Sequence, residues 1–145
     1  MINEFKDEYA FLSNFLMVPV LYEGVWWKSV EHAYQAAKTT DPVWKQRIAD
    51  AYTPGAAKKL GRQAPLKVFW DINKDRIMED IVRSKFTNNP ELKAKLIATN
   101  PHELIEGNWW GDIYWGVCKG VGENKLGKIL MKVRASANDT QAIMA

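Results

Sequence analysis

The sequence of 145 residues contains only one cysteine, Cys118, and two histidines, His32 and His102. A single cysteine excludes a disulfide within the chain. One cysteine and two histidines also cannot complete the four ligands of an ordinary structural zinc site. This count does not exclude a metal site built from carboxylates, but no sequence motif indicates one. We therefore predict neither a bound metal nor a cofactor.

Long apolar runs and a strong charge of one sign are absent as well. No hydrophobic stretch approaches the roughly 20 residues needed to cross a bilayer. Residues 1–5 include the polar Asn3 and the acidic Glu4, where a signal peptide requires an apolar run. The net charge is only +3, whereas a dedicated duplex-DNA-binding protein usually carries a dense basic stripe. The sequence therefore predicts a cytoplasmic protein without a membrane partner, and it does not indicate the oligomeric state.

Tryptophan, in contrast, is abundant, with seven residues in this short chain. Packing in the core is the most frequent role of a tryptophan. The pair Trp109-Trp110 is followed by Gly111 and Asp112, a composition typical of a loop. Flat rings in such a loop are suited to stacking on a nucleobase. Both roles are compatible with the sequence.

Turn and capping signals divide the chain into a hairpin followed by helices. Residues Val18–Tyr22 and Val25–Trp27 flank Glu23-Gly24, a pattern that predicts a short antiparallel hairpin. Ser29 is placed to cap a helix from Val30 to about Lys38. Three further helix starts carry a capping residue followed by proline, namely Asp41-Pro42, Thr53-Pro54 and Asn89-Pro90.

Two more helices are predicted from apolar residues that recur at helical spacing. One begins near Asp71 and the other contains Leu126 to Val133, while Leu104–Glu106 and Ile113–Val117 are typical of short strands or extended loops. The fold class predicted is α+β, a helix-rich single domain with a small antiparallel sheet. We expect this domain to occupy residues 1–134 and a loosely held tail to occupy residues 135–145.

The segment Ser29–Lys38 places Glu31, Gln35 and Lys38 at spacings of four and three, which is one face of a helix. A solvated helix face is the more frequent explanation of this spacing. Glu31, however, falls in the first turn, where free N–H groups and the helix dipole favour an ionised carboxylate. A fixed negative charge would stabilise the oxocarbenium-like transition state of a ribose that loses its base.

Three other segments carry weaker signals. Ser13 and Asn14 lie between aromatic residues, in a plain hydrophobic anchor or beside a ligand. Asp112 either lies at the rim of an aromatic pocket or forms a turn. Gly122 and Asn124 precede the last helix, where backbone N–H groups either bind a phosphate or simply start the helix.

Taken together, these segments resemble the NADAR superfamily, also called the YbiA-like proteins. The similar pieces follow the family order and cover nearly the whole chain outside the tail. They are Phe11–Phe15, Trp27–Lys38, Lys85–Pro90, Leu104–Glu106, Trp115-Gly116, Gly122–Gly127 and Leu130–Arg134.

The resemblance implies an α+β fold and hydrolysis of N-glycosidic bonds. Known members split early phosphorylated intermediates of riboflavin synthesis, and others remove ADP-ribose from guanine bases. The family's catalytic glutamate falls on Glu31, its tryptophan before the central helix on Trp70, and its aspartate before the Trp-Gly pair on Asp112. The segment Asn108–Gly111 is bulkier than the family pattern, a departure that could reshape the pocket for the base.

We therefore predict a hydrolase that cleaves the N-glycosyl bond between a base or amine and a phosphorylated ribose. Its predicted partner is a free phosphorylated ribonucleoside or an ADP-ribose conjugate, including ADP-ribosylated nucleic acid in transient contact. A non-catalytic module that binds ADP-ribose or an NAD derivative is the alternative. The predicted catalytic residues are Glu31, Asp112 and Trp70. The predicted substrate-binding residues are Ser13, Asn14, Gln35, Lys38, Trp109, Trp115, Gly122 and Asn124.

Overall fold

The computed structural model describes the backbone of residues 1–144 and the side chains of residues 1–137. The chain divides into two compact units. The middle unit is Asn14–Asn88, and the terminal unit consists of Met1–Ser13 together with the chain from Asn89 onward. Within the described residues, no helix has the length and apolar character needed to span a membrane.

The middle unit begins with the predicted hairpin. Strands β1 (Val20–Tyr22) and β2 (Val25–Trp27) pair antiparallel. The two residues between them, Glu23 and Gly24, both have positive φ, at 50° and 76°. Two-residue turns of this kind match the right-handed twist of the strands they join. The prediction of a small antiparallel sheet is therefore confirmed.

Four helices follow in the middle unit, α1 (Val30–Ala37), α2 (Pro42–Asp50), α3 (Pro54–Gly61) and α4 (Trp70–Thr87). The first three begin at the predicted caps, because side-chain oxygens of the residues before them accept backbone N–H groups of the first turn. Helix α4 begins one residue before the predicted start, after Phe69 in the left-handed conformation with φ of 63°.

Helix α1 lies at the centre of the middle unit. Its Ala36 packs with Ile48, Ala51 and Ala57 in one apolar cluster. Small side chains allow the backbones of neighbouring helices to approach closely, so α1 is enclosed by α2 and α3. All eight residues of α1 are buried, the polar ones included. The polar side chains of α1 therefore lie inside the fold, and the explanation of a solvated face is wrong.

The terminal unit contains a 3₁₀ helix (Asp7–Leu12), helices α5 (Pro90–Ala98) and α6 (Lys125–Met144), and two short strands. Strands β3 (Gly107–Asn108) and β4 (Val117–Cys118) pair in parallel. Strand β3 lies just beyond the predicted extended segment Leu104–Glu106, and β4 begins at Val117, the last residue of the second predicted segment. The rest of that second segment belongs to a turn in which backbone N–H groups bind the Asp112 side chain. The sheet content of the chain is thus a hairpin and one parallel pair among the described residues.

Helix α6 continues past Arg134, where the sequence pattern predicts its end. The stripe Leu126, Leu130 and Val133 is buried, as helical spacing requires. The backbone of α6 runs on to Met144. The side chains of residues 138–145, most of the predicted tail, lie outside the described residues, so the domain boundary at residue 134 stays a prediction.

Candidate active site

Glu31 is a buried carboxylate in the first turn of α1, with 6% of its surface exposed. Its backbone N–H donates to the carbonyl oxygen of Asn14 at 3.1 Å. Its side-chain Oε1 accepts a hydrogen bond from Nε2 of Gln35 at 2.7 Å, a charge-assisted length. The position of the carboxylate is therefore defined through both backbone and side chain.

Lys38 stands at the end of α1, with its ammonium 5.7 Å from the centre of the Tyr34 ring. Burial lowers the pKa of the Lys38 ammonium, and the Glu31 carboxylate opposes this change. The positive charges of Arg62, Lys58 and Lys74 lower this pKa further. Lys74 also forms an ion pair with Asp71 at 3.3 Å. We name Lys38, Lys58, Arg62 and Lys74 the cationic cluster.

The cationic cluster is suited to an anionic ligand, because several positive charges near one partly buried site raise the local concentration of anions. From the sequence, Lys58 and Arg62 are indicated only as scattered charge, and Lys74 is missed. Lys58 lies on α3 and Arg62 directly follows it, four positions later, a spacing that indicates that the two share a face. Nothing in the sequence indicates that this face lies near Lys38.

Trp70 is the first residue of α4 and is 6% exposed. Its ring centre lies 5.2 Å from that of Tyr34, at a tilt of 54°. Trp70 therefore packs against the same helix that carries Glu31, one turn further along it. A structural role follows directly from this contact, and the catalytic role implied by the family resemblance stays a prediction.

Asn14 contributes to the site through its backbone. Its carbonyl oxygen binds the Glu31 N–H group, while its side-chain Nδ2 lies 3.6 Å from the sulfur of Met78. Ser13 belongs to the terminal unit and follows the 3₁₀ helix, where its N–H group donates to Ala10 at 3.0 Å. Sequence reasoning indicated both residues by their side chains and missed the backbone contact.

His32, next to the proposed catalytic residue, is fully buried and holds the start of α1 in place. Its Nε2 lies 3.0 Å from the carbonyl oxygen of Ala51, and its Nδ1 lies 2.7 Å from the hydroxyl of Ser29. Since a carbonyl only accepts, Nε2 carries the proton and Nδ1 accepts from Ser29. Burial lowers the pKa of His32, which favours this neutral form. These contacts give His32 a structural role.

Asp112 lies in the terminal unit and organises a turn. Its Oδ1 accepts from the N–H groups of Tyr114 at 3.1 Å and Trp115 at 2.9 Å. Its own N–H group donates to the side chain of Asn108 at 3.0 Å. This arrangement matches the turn explanation of the residue. The catalytic role implied for Asp112 by the family resemblance is not tested by these contacts and stays a prediction.

Two tryptophans predicted to bind the substrate, Trp109 and Trp115, differ in exposure. Trp109 is 85% exposed and meets Trp110 edge to face, with ring centres 5.6 Å apart. Trp115 is partly buried, and its ring centre lies 4.8 Å from that of Tyr114. Exposed indole surface is suited to stacking on a planar ligand. The binding roles of Trp109 and Trp115 stay predictions.

The start of α6 is already hydrogen-bonded within the protein. The N–H groups of residues 123–126 donate to carbonyl oxygens of residues 113–116 at 2.8–3.2 Å. The Asn124 side chain donates to Leu104 at 3.0 Å and accepts from Glu106 at 2.9 Å. A side chain on Gly122 would overlap the carbonyl of Gly116. These contacts are structural, and phosphate binding by Gly122 and Asn124 stays a prediction.

Comparison with known proteins places this chain in a family. The NADAR domain matches residues 2–137 of the chain. The N-glycosidase YbiA of Escherichia coli is 37% identical over 132 residues, which cover 89% of this chain and 82% of that protein. An N-glycosidase of Nostoc punctiforme is 36% identical over 132 residues, with 87% and 84% covered. A riboflavin biosynthesis protein of Vibrio vulnificus is also 36% identical over 132 residues, 88% of this chain but 35% of that protein.

The fold agrees with these matches. The solved NMR structure of E. coli YbiA superposes with a TM-score of 0.86 at 32% identity, covering 98% of this chain and 89% of that one. The matched region contains the complete α1 segment with Glu31, Gln35 and Lys38. By sequence over almost its whole length and by structure, the chain belongs to the NADAR domain family.

Proposed function

We propose that this chain hydrolyses the N-glycosidic bond between a base or amine and a phosphorylated ribose, with the Glu31 carboxylate at the anomeric carbon. The relatives of 36–37% identity named N-glycosidases support the reaction class, and the chain is a hydrolase of N-glycosyl bonds. The observation that carries the role of Glu31 is its burial, with one oxygen held 2.7 Å from Gln35.

The chemistry follows from a fixed negative charge in a buried place. When the C–N bond breaks, its electron pair leaves with the nitrogen and positive charge develops on the ribose ring. A nearby carboxylate stabilises that charge more strongly inside a protein than in water, because the local dielectric constant is lower. Water then forms the new C–O bond, and the nitrogen receives a proton, which leaves a free base or amine and a ribose phosphate.

The cationic cluster supports the phosphate end of the proposal. Arg62, Lys58 and Lys74 all act electrostatically on Lys38, and Lys38 in turn interacts with Glu31. A phosphorylated ribose carries its anionic group a few bonds from the anomeric carbon. One ligand could therefore meet the carboxylate and the cations together, and charge-assisted bonds to a phosphate are strong.

The names of relatives favour a free metabolite as the substrate. A region of a riboflavin biosynthesis protein is 36% identical to this chain, which supports a phosphorylated ribosylamine of that pathway. As part of the proposal, Trp70 or Trp109 contacts the base, and Asp112 or a water molecule protonates or hydrogen-bonds the leaving nitrogen. ADP-ribose attached to guanine is the alternative substrate, and its cleavage is to be compared with that of the free metabolite.

The test measures product release from both substrate classes by the purified chain. We expect cleavage of free phosphorylated intermediates of riboflavin synthesis and slower release of ADP-ribose from a guanine-modified oligonucleotide. Glu31→Gln should lower kcat by about 1,000-fold, since shape is kept and charge is lost. Its affinity for substrate, measured by calorimetry, should change by less than about threefold, because the binding contacts remain.

Glu91→Gln is the matched control. Glu91 is the second residue of α5, as Glu31 is of α1, but it is exposed. Its replacement should leave turnover unchanged. Retained turnover in Glu31→Gln would contradict the proposal, as would an equal loss of affinity and turnover. Tight binding of ADP-ribose with no product from any glycoside would instead favour the non-catalytic binding module.

A further inference from the structure

Helix α3 ends in a glycine where a helix would favour alanine. Gly61 is part of α3, and glycine in a helix is less stable than alanine by about 0.5–1 kcal/mol. A Cβ atom at residue 61 would lie 2.6 Å from Cδ of Gln35 and would overlap its Oε1. Such contacts would force the end of the Gln35 side chain to move. The missing side chain of Gly61 therefore provides the space that the Gln35 amide occupies.

The other side of that amide contacts the proposed catalytic carboxylate. Gln35 is 3% exposed, and its Nε2 donates to Oε1 of Glu31 at 2.7 Å. Its Oε1 is buried without a hydrogen-bond partner among the described residues. A buried acceptor left unpaired costs about 1–3 kcal/mol. Reversing the amide would point its carbonyl oxygen at the carboxylate, so the observed orientation is the one that serves Glu31.

From this geometry we propose that Gly61 is a positioning residue for the Glu31 carboxylate and acts through Gln35. The backbone of Gly61 forms one wall against which the Gln35 amide is packed, and the packed amide fixes one carboxylate oxygen. Gly61 itself touches no substrate in this scheme. The inference rests on the proposed function of Glu31.

A second glycine in α3 shows that the requirement is specific to one position. At Gly55, a Cβ atom would meet only the Thr53 hydroxyl at 3.9 Å, which is ordinary contact distance. Gly55 and Gly61 lie in the same helix, near its two ends. Only Gly61 lies against the side chain that binds Glu31, so the two positions form a matched pair.

The test compares Gly61→Ala with Gly55→Ala in steady-state kinetics on the phosphorylated ribosylamine. The methyl group of Gly61→Ala displaces the Gln35 amide, and small misplacements of a catalytic group can lower rates about 100-fold. We expect kcat to fall about tenfold to 100-fold with KM changed by less than about threefold. Gly55→Ala should keep both constants. A merely structural role of Gly61 would lower the melting temperature and leave kcat per folded molecule unchanged.

A double-mutant cycle then shows whether the effect passes through Gln35. In a Gln35→Ala background the amide is gone, so adding Gly61→Ala should not lower kcat further. This pair also remains informative if Gly61→Ala alone fails to fold, because the truncated side chain leaves room for the methyl group. A further loss of the same size in the Gln35→Ala background would overturn the inference, as would full kcat in Gly61→Ala.

The outcome for Glu31 separates this inference from the proposed function. If Glu31→Gln loses turnover while Gly61→Ala keeps it, only the positioning role is wrong. If Glu31→Gln keeps turnover, the proposed function itself is wrong.

Discussion

The buried polar side chains of the two units have different partners. In the terminal unit, Thr99, Asn124 and Arg134 are buried, and each makes a hydrogen bond to a backbone group. In the middle unit, Ser29 and His32 also bind backbone groups, whereas Glu31 and Gln35 bind each other through their side chains. Helix α4 of the same unit carries Lys85, which is 1% exposed.

This difference separates buried polar groups that stabilise the fold from buried polar groups that destabilise it. A buried side chain that satisfies backbone N–H or C=O groups replaces water and adds stability. Buried ionisable groups with shifted pKa values lower stability, and they concentrate at functional sites. We therefore expect the terminal unit to lose stability when its buried polar residues are removed, and the middle unit to gain stability at its buried lysine.

The largest expected effect is at Lys85. Burial lowers the pKa of the Lys85 ammonium from 10.5 to about 7, a difference that corresponds to at most roughly 5 kcal/mol. Lys85→Met keeps the apolar length of the side chain and removes the charge. The substitution also removes the contact of the ammonium with the Phe86 ring, whose centre lies 5.1 Å away. We therefore expect it to raise the free energy of unfolding at pH 6 by part of this amount, measured by urea denaturation.

The pH dependence has a defined sign. Between pH 7 and 10.5 the unfolded chain keeps the proton on Lys85 and the folded chain releases it, so raising the pH stabilises the wild type. Below pH 7 the penalty is fully present. The advantage of Lys85→Met should therefore shrink between pH 6 and pH 9. Lys59→Met, at an exposed position, serves as the control. If Lys85→Met is less stable than the wild type at every pH, the proposed difference between the two units is wrong.

The next effect, of opposite sign, is at Arg134 in the terminal unit. Its guanidinium donates to the Thr99 hydroxyl at 3.0 Å and to the His102 carbonyl at 2.7 Å. Arg134→Met leaves these groups without the donor, so we expect a loss of about 2–3 kcal/mol in urea denaturation. Arg83, which forms a more exposed ion pair with Glu79, is the control, and Arg83→Met should cost less than about 1 kcal/mol.

The smallest effect sharpens the comparison for Asp112. Asp112→Asn keeps an Oδ1 atom that can accept from Tyr114 and Trp115, so the turn and the melting temperature should be preserved. If the charge serves catalysis, kcat should fall about tenfold to 100-fold, less than in Glu31→Gln. Unchanged kcat in the same assay would make Asp112 a turn residue only.

The sequence predicted most of the middle unit because its signals are local. The hairpin turn at Glu23-Gly24 and the caps Ser29, Asp41 and Thr53 act on their immediate neighbours, and the structure confirms all four. In the terminal unit, β3 follows its predicted segment and β4 overlaps its own only at Val117. Their pairing depends on contacts between Glu106 and Val117, eleven positions apart, which no short window of sequence contains.

The grouping of Glu31, Gln35 and Lys38 was predictable, but their surroundings were not. The spacing of Glu31, Gln35 and Lys38 indicated one helix face, but spacing alone cannot distinguish a buried face from a solvated one. The contribution of Gly61 was not predictable, because it lies 26 positions from Gln35 and meets it only in the folded state. Glycine near a helix end is also common for unrelated reasons.

One backbone contact links the end of α1 to the segment before α4. The Lys67 N–H group donates to the Lys38 carbonyl oxygen at 2.7 Å. Residues 38 and 67 are therefore in contact, and the segment between them contains α2 and α3. Insertions or deletions within the segment between residues 38 and 67 need not alter the separation between Lys38 and Trp70. The length of this segment can therefore vary in evolution as long as a glycine still packs against Gln35.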